Sequence, residues 1–303
     1  MDLTLTGVAV KERDEVFLTA IFDEYADEHP DHCLVLRYHS GAFKQLLLDH
    51  AVCAVAVPPD DRGLVCFVGP HGEVTFAGNG GLSVEAVDPS DRGPSAMVLL
   101  RDAVWIGDAL YACGMARMVY ERRALGSWRQ IDDGVFVPRE LREAAVGFHA
   151  MAGNPSRGLI CVGQYGEIWS WRTGRWTQED SPTNVPLTGI CITAQDNAVV
   201  IGMSGVLLIG TDRHWRVVEH GATTSDFWGI AEFAGHVYVA NYDGVFRLVG
   251  DNLEKIDMGT TVDGSVPSTA YLAANLDVIW SVGHKNLAYS HDGMVWNAVD
   301  LPA

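Results

Sequence analysis

The chain has 303 residues, which is long for one ordinary domain and suits either two domains or one large repeat fold. With 48% hydrophobic and 20% charged residues, it has the composition of a protein that buries a core. Its 21 basic and 39 acidic residues give a net charge of −18, which argues against binding to nucleic-acid phosphates or to an anionic membrane and is compatible with a basic protein partner.

The N-terminus and the cysteines predict a cytoplasmic protein. Residues 1–20 lack the cationic start and the apolar stretch of a signal peptide. No apolar run approaches the ~20 residues that cross a bilayer. The six cysteines stand in apolar segments without a CxxC pair, which indicates reduced thiols that pack as small hydrophobic side chains.

A unit of about forty residues recurs along the chain. One element of it is a tryptophan in the phrases GSWRQID, GRWTQED, RHWRVVE and MVWNAVD, at Trp128, Trp176, Trp215 and Trp296. A second element, upstream, is an apolar strand with a glycine turn, at Gly41, Gly72, Gly166, Gly205 and Gly244 and in weaker copies around Ala116 and Asn286. An apolar run precedes most of these turns. Each unit therefore reads as four short strands.

Seven such units predict an all-β fold, a seven-bladed β-propeller of four-stranded antiparallel blades in a single domain over residues 1–303. The first unit is about one strand short, whereas residues 3–10 (LTLTGVAV) alternate like a strand. We therefore predict that this N-terminal strand helps ring closure, joining the chain ends and removing an open sheet edge. A six-bladed ring with an irregular N-terminal sheet is the alternative. Residues 137–145 (VPRELREAA), with Pro138 near their start, predict one helix between the third and fourth units.

The last unit, AYSHDGMVWNAVD, resembles the Asp-box segment of bacterial BNR-type and photosystem-assembly-factor-like propellers. Ser290, Asp292, Gly293 and Trp296 match the pattern Ser-x-Asp-Gly-x-x-Trp. The resemblance implies a structural turn, in which the aspartate caps backbone amides and the tryptophan packs between blades.

Asp-box propellers include sialidases, so the resemblance also raises an enzyme. Such an enzyme would need an arginine cluster, a tyrosine nucleophile and an acid partner. No arginine stands at a repeated inner-strand position, and the arginines of the third unit predict a solvated patch: Arg101, Arg117, Arg122, Arg123 and Arg129. No pair of carboxylates is projected from two inner strands. No catalytic residue, cofactor or metal site is predicted.

A carboxylate stands four residues after each tryptophan position, at Asp49, Asp88, Asp132, Asp180, Glu219, Asp257 and Asp300. Each of them could end an outer strand and cap the turn into the next blade. Together they could form a ring of negative charge around one rim. Blades lie about 10 Å or more apart there, so these groups would not share protons.

The glycine turns between second and third strands should share that rim with the connections between blades, including residues 223–226 and Thr260, Thr261 and Asp263. Aromatic and charged loops on one face indicate a protein-binding surface. The predicted partner-binding residues are His39, His71, Tyr165, Asp180, Glu219, Asp226, Tyr242, Asp243, Asp257 and His284.

The function predicted from these features is non-catalytic protein binding by a monomer. An immunity or inhibitor protein that neutralises a basic toxin or effector domain fits best. A carbohydrate-active enzyme of the sialidase or glycosidase kind and an assembly chaperone are the alternatives.

Overall fold

The computed structural model describes residues 2–25, 31–59, 63–97, 99–141, 146–211, 213–259 and 267–302. In these ranges 28 strands form seven four-stranded antiparallel sheets, each made of strands consecutive in sequence. The innermost strands of neighbouring sheets contact one another all the way round, and the last contacts the first. The predicted seven-bladed β-propeller is confirmed, and the six-bladed alternative is wrong.

The strands are numbered in chain order, from the innermost to the outermost of each blade. Blade 1 contains β1 (Leu3–Glu12), β2 (Glu15–Phe22), β3 (Cys33–His39) and β4 (Ala42–Leu48). Blade 2 contains β5 (Ala54–Ala56), β6 (Leu64–Val68), β7 (Glu73–Gly78) and β8 (Gly81–Ala86). Blade 3 contains β9 (Leu100–Ile106), β10 (Ala109–Gly114), β11 (Val119–Ala124) and β12 (Ser127–Gln130). Blade 4 contains β13 (Phe148–Asn154), β14 (Gly158–Gly163), β15 (Ile168–Arg172) and β16 (Arg175–Glu179).

The remaining three blades follow the same plan. Blade 5 contains β17 (Leu187–Ile192), β18 (Ala198–Gly202), β19 (Leu207–Thr211) and β20 (His214–Val217). Blade 6 contains β21 (Gly229–Phe233), β22 (His236–Asn241), β23 (Gly244–Val249) and β24 (Asn252–Lys255). Blade 7 contains β25 (Tyr271–Ala274), β26 (Ile279–Val282), β27 (Leu287–Ser290) and β28 (Asn297–Val299).

Helical structure in the described residues is limited to single turns. One α-helical turn, α1, spans Pro94–Met97, and 3-10 turns span Asp23–Tyr25, Arg139–Leu141, Gln164–Gly166 and Met203–Gly205. Within the helix predicted at 137–145, only the 3-10 turn Arg139–Leu141 is seen, and residues 142–145 lie outside the described part of the chain. In the described ranges, no helix combines the length and the apolar character that crossing a membrane requires.

The hydrophobic core is divided into seven clusters, one between each pair of adjacent blades. The repeated tryptophans of blades 3, 4, 5 and 7 each pack in the cluster shared with the preceding blade. In blade 4, Trp176 stacks on Phe148 and its indole N–H donates to the carbonyl oxygen of Ile131, in the connection from blade 3, at 2.6 Å. In blade 5, Trp215 donates to Glu179 of blade 4, also at 2.6 Å. The forty-residue spacing of tryptophan thus reflects one blade-to-blade contact per repeat.

The predicted N-terminal strand supplies a strand to the blade at the ring closure, and within the described residues the two chain ends share no sheet. Strand β1 is the innermost strand of blade 1 and packs against blade 7. The N–H of Leu5 donates to the carbonyl oxygen of His284 at 2.9 Å, and Lys285 Nζ donates to that of Leu3 at 2.8 Å. The first unit looks one strand short in the sequence pattern because β1 and β2 both precede Cys33. The glycine turn at Gly41 therefore joins the third and fourth strands of its blade.

Of the third-unit arginines that the sequence predicts to be solvated, Arg101, Arg123 and Arg129 are exposed, whereas Arg117 and Arg122 are half-buried. Four of them pair with buried or nearly buried glutamates: Arg122 with Glu85 of blade 2, Arg117 with Glu167 of blade 4, and Arg123 and Arg129 with Glu121. Arg122 also lies over the ring of Phe76 and Arg117 over that of Trp169. These contacts connect blade 3 to both neighbours, while Arg101 lines the central cavity.

Candidate functional site: the connection face

The two ends of the propeller carry different kinds of loop. One end, the connection face, bears the turns between second and third strands and the connections between blades. The other end, the hairpin face, bears the turns between first and second and between third and fourth strands. Because all seven sheets are antiparallel in the same strand order, every loop of one kind lies on the same face.

Nine of the ten predicted partner-binding residues lie on the connection face. His71, Tyr165, Tyr242, Asp243 and His284 are in turns between second and third strands, and Asp180, Glu219, Asp226 and Asp257 are in connections between blades. The placement of His39 is wrong, because it ends β3 and pairs with Ala42 of β4, on the hairpin face. The predicted loop residues Thr260, Thr261 and Asp263 lie outside the described residues.

The seven repeated carboxylates all follow an outermost strand and therefore stand on the connection face. Asp49, Asp180, Glu219, Asp257 and Asp300 are exposed, Asp88 is half-buried and Asp132 is buried. Turn capping occurs at Asp88, which accepts the N–H of Ser90, and at Asp257, which accepts that of Gly259. Burial raises the pKa of Asp132 to about 6, although its carboxylate accepts the N–H of Val119. The ring of charge is therefore carried by the exposed members.

Aromatic side chains cluster on blades 6 and 7 of this face. The ring centroid of Tyr242 lies 5.4 Å from that of His284 and 6.4 Å from that of Trp228. Tyr242 is 54% exposed, so a large apolar ring is open to solvent at the centre of the cluster. A cavity of about 370 Å³ lies beside it, with Asp243 and Asp257 in its lining. This sector therefore places an aromatic anchor next to negative charge.

Asp226 and Asp243 hold the loops of this sector in place. The Asp226 carboxylate, in the connection from blade 5 to blade 6, accepts the backbone N–H of Ser204 in the turn of blade 5 at 2.7 Å. The Asp243 carboxylate accepts the hydroxyl of Ser225 at 2.7 Å, so the turn of blade 6 is tied to the connection that precedes that blade. Both side chains remain partly or fully exposed. They therefore shape the face and add to its charge.

Tyr165 lies in a tight turn whose backbone adopts the left-handed conformation. It is 56% exposed and has a φ of 57°, in the left-handed region, and the following Gly166 has a φ of 69°. A Cβ on Gly166 would lie 2.2 Å from the carbonyl oxygen of Thr183, so the turn packs tightly under the connection to blade 5. Blade 5 repeats this geometry at Ser204 and Gly205.

His71 lines a cavity of about 860 Å³ between blades 1 and 2, which Asp49 and Glu73 also border. His50, in the same wall, is buried, with Nε2 2.9 Å from the hydroxyl of Thr75. No three His, Cys, Asp or Glu side chains of the described ranges are grouped so that they could hold a metal ion.

The central cavity, about 290 Å³, is the feature that sequence reasoning missed. Its lining includes Thr6, Arg101, His149, Thr188, Trp228 and Tyr271, one side chain from the innermost strand or its start in each of six blades. A sequence signal does exist. In four of these blades, the lining residue stands between a fully buried residue and a small one. The segments are Leu5-Thr6-Gly7, Phe148-His149-Ala150, Leu187-Thr188-Gly189 and Phe227-Trp228-Gly229.

Cys53 also lines this cavity, whereas Cys191 lies in β17 three residues after the lining residue Thr188 and is not part of the lining. Burial raises the pKa of each thiol to about 12, which keeps both protonated at neutral pH. The Nδ1–H of His149 donates to the carbonyl oxygen of Leu187, 3.1 Å away, and burial lowers the pKa of this histidine. His149 therefore connects blades 4 and 5, and within the described residues neither thiol is hydrogen-bonded to a base.

Comparison with curated proteins gives a relative of nearly the same length. The immune protein Tsi7 of Pseudomonas aeruginosa is 31% identical over 301 residues, covering 98% of this chain and 96% of the relative. The chain belongs to the Tsi7 immune-protein family. No protein-family model matches it. The alignment with Tsi7 spans all seven blades, so the similarity covers the connection face and the central cavity together.

Solved structures similar to this member of the Tsi7 family are β-propellers. YCF48 bound to a D1 peptide matches with a TM-score of 0.68 at 15% identity, over 99% of this chain and 94% of the other. The WD40 propeller domain of Doa1 matches with a TM-score of 0.69 at 10% identity, over 95% and 93%. At these identities the likeness concerns the fold alone.

Proposed function

We propose that this chain is an immunity protein that binds a toxin and neutralises it. The observation that carries the proposal is the relationship to the immune protein Tsi7 over 98% of the chain. The fold suits the role, because a rigid ring of blades presents many loops on one surface without moving its core.

The toxin is proposed to bind at the connection face through a basic surface. Exposed carboxylates at the ends of five blades face that side, and the whole chain carries a net charge of −18. Such a charge attracts a basic partner over long distances and raises its association rate. The aromatic sector around Tyr242 would supply the buried anchor that charge alone does not provide.

The contact residues are therefore proposed to be His71, Tyr165, Asp180, Glu219, Asp226, Tyr242, Asp243, Asp257 and His284. His39 is left out of this face because it lies at the opposite end. We also propose that the chain acts as a monomer in the cytoplasm and binds neither nucleic acid nor membranes. The Asp-box relationship is proposed on blade 7, where Asp292 accepts the N–H groups of Met294 and Val295 at 2.8 Å.

Catalysis of the sialidase kind receives no support from the central cavity. Its described lining contains one arginine, Arg101, and one carboxylate, Asp102, whose two oxygens accept the N–H groups of Ala103 and Met151. An arginine cluster and a separated pair of free carboxylates would be needed.

Neutralisation is tested by co-expressing the chain with the toxin domain encoded beside its gene. We expect the chain to restore growth and to copurify with that domain, more tightly at low than at high salt. If the wild-type chain neither restores growth nor binds the toxin, the proposed function is wrong.

A further inference from the structure

The innermost strands of four blades share an irregularity at the same place. In each of them the pairing with the second strand skips one residue: Thr6 in β1, Arg101 in β9, His149 in β13 and Thr188 in β17. A β-bulge of this kind leaves one residue out of the ladder and redirects its side chain. All four side chains line the central cavity. In each of these four blades, the bulge thus places one side chain in the lining of the central cavity.

Among the described residues that line this cavity, Arg101 is the only arginine or lysine. Its side chain is exposed and forms no ion pair or hydrogen bond with the described part of the chain. The described arginines that do have carboxylate partners are Arg37, Arg117, Arg122, Arg123, Arg129, Arg157, Arg213, Arg216 and Arg247. Arg13, Arg92, Arg172 and Arg175 also have no carboxylate ion pair within the described residues, but of these five unpaired arginines Arg101 is the one that lines the central cavity.

The nearest carboxylate in sequence does not neutralise Arg101. Both oxygens of Asp102 are used by backbone N–H groups, one of them from Met151 in the innermost strand of blade 4, at 2.8 Å each. Asp102 thus bridges blades 3 and 4, and its carboxylate is hydrogen-bonded to the backbone instead of to Arg101. The guanidinium remains available to a ligand.

The opposite wall of the cavity offers aromatic surface. In a ring of seven blades, blades 6 and 7 lie across from blade 3, and they contribute Trp228 and Tyr271 to the lining. The indole N–H of Trp228 is buried and has no acceptor within the described residues. A buried donor without a partner costs stability unless a ligand or water satisfies it. The cavity therefore combines an unpaired cation with two aromatic rings on the wall across from it.

We propose that the central cavity is a carboxylate-binding site, with Arg101 holding the carboxylate and Trp228 and Tyr271 packing against its carbon stem. A planar guanidinium matches a carboxylate with two parallel hydrogen bonds. A cavity of about 290 Å³ takes one acidic side chain or a small organic acid. This inference rests on the proposed function, because the acidic side chain would be an aspartate or glutamate of the bound toxin.

The position of Arg101 inside the ring of exposed carboxylates adds specificity for the bound toxin. The exposed rim repels acidic surfaces in general, so a carboxylate reaches Arg101 only when a basic surface carries it. A toxin with that arrangement gains one charged contact at the centre of the interface and fixes its orientation on the face.

The site is tested first with acetate as the probe and sodium chloride at equal ionic strength as the control. We expect acetate, and not chloride, to shift the NMR signals of the Arg101 guanidinium and the Trp228 indole N–H in the full-length wild-type chain. The variant R101Q should lose the Trp228 shift and R101K should keep part of it. The matched control R175Q, at an exposed arginine of β16, should respond like the wild type. Signals that do not move with acetate, together with wild-type toxin affinity of R101Q, would overturn the proposal.

The toxin complex then distinguishes the two sources of the carboxylate. If the toxin supplies it, R101Q weakens toxin binding by at least about tenfold, and acetate no longer moves the Trp228 signal in the wild-type complex. If R101Q binds the toxin like the wild type and acetate still binds in the complex, the site stands and takes a free acid. Neutralisation by the wild-type chain is measured in parallel, so a failure of the immunity function is recognised separately.

Discussion

Lys285 in the last blade donates a hydrogen bond to the carbonyl oxygen of Leu3 in the first, across 282 positions of sequence and 2.8 Å of space. The same ammonium pairs with Asp23. Since the described chain ends share no sheet, these contacts and the Leu5 to His284 hydrogen bond form the polar part of ring closure.

Lys285→Met should therefore destabilise the ring. The variant keeps the apolar stem and leaves the Leu3 carbonyl without its charged donor, so we expect the free energy of unfolding to fall by about 1 kcal/mol. Urea unfolding measures the change. Lys44→Met, at an exposed position of β4, is the matched control and should leave the midpoint unchanged. Equal midpoints for the two variants would show that closure depends on apolar packing alone.

Asp102 should make stability depend on pH. Burial raises its pKa to about 7 in the folded chain, against about 3.9 for an unperturbed aspartate. Between these values the folded state holds a proton that the unfolded state has lost, so the contribution of Asp102 to stability declines as pH rises towards 7 and is constant above it.

The comparison that checks this is urea unfolding of the wild type and Asp102→Asn from about pH 5 to pH 8. The stability of the wild type relative to the variant should fall by at least about 1 kcal/mol across that range. The exposed Asp277→Asn serves as the control for a general charge change. Parallel curves for the wild type and Asp102→Asn would contradict the prediction.

The acidic rim should act mainly on the rate of toxin association. The triple variant D180N/E219Q/D257N removes three exposed charges from the connection face, and we expect the association rate at low salt to fall about tenfold or more. The difference should shrink at high salt because the charges are screened. Surface plasmon resonance at two ionic strengths measures both effects. The matched triple E12Q/D14N/D277N removes three exposed charges from the hairpin face, and an equal loss there would exclude a specific rim.

Tyr242 should behave as the anchor of the interface. Tyr242→Ala removes an exposed ring that packs against His284 and Trp228, and we expect toxin binding to weaken at least about tenfold with little change in Tm. Leu276→Ala is the control, since Leu276 is 98% exposed on the hairpin face. Titration calorimetry and thermal unfolding of both variants separate loss of binding from loss of fold. Full toxin affinity in Tyr242→Ala would remove this sector from the interface.

Much of the fold could be predicted because a propeller repeats one packing problem seven times. Each blade needs an apolar inner strand and a large side chain against its neighbour, which explains why Trp128, Trp176, Trp215 and Trp296 recur in equivalent positions. It also needs a polar end to the outermost strand, which explains the carboxylates from Asp49 to Asp300. These requirements are local and periodic, so they leave a pattern in the sequence.

Tertiary structure alone decided where individual side chains point. His39 lies on the hairpin face because β1 and β2 complete the first blade from its inner side, which shifts the glycine turn at Gly41 by one strand. Arg101 reaches the central cavity because a β-bulge removes it from the ladder, and a bulge changes register without changing the apolar pattern. The sequence by itself determined the number of blades and the charge of one rim. Register and ring closure, which depend on contacts between residues far apart in the chain, determined which side chains meet at the centre.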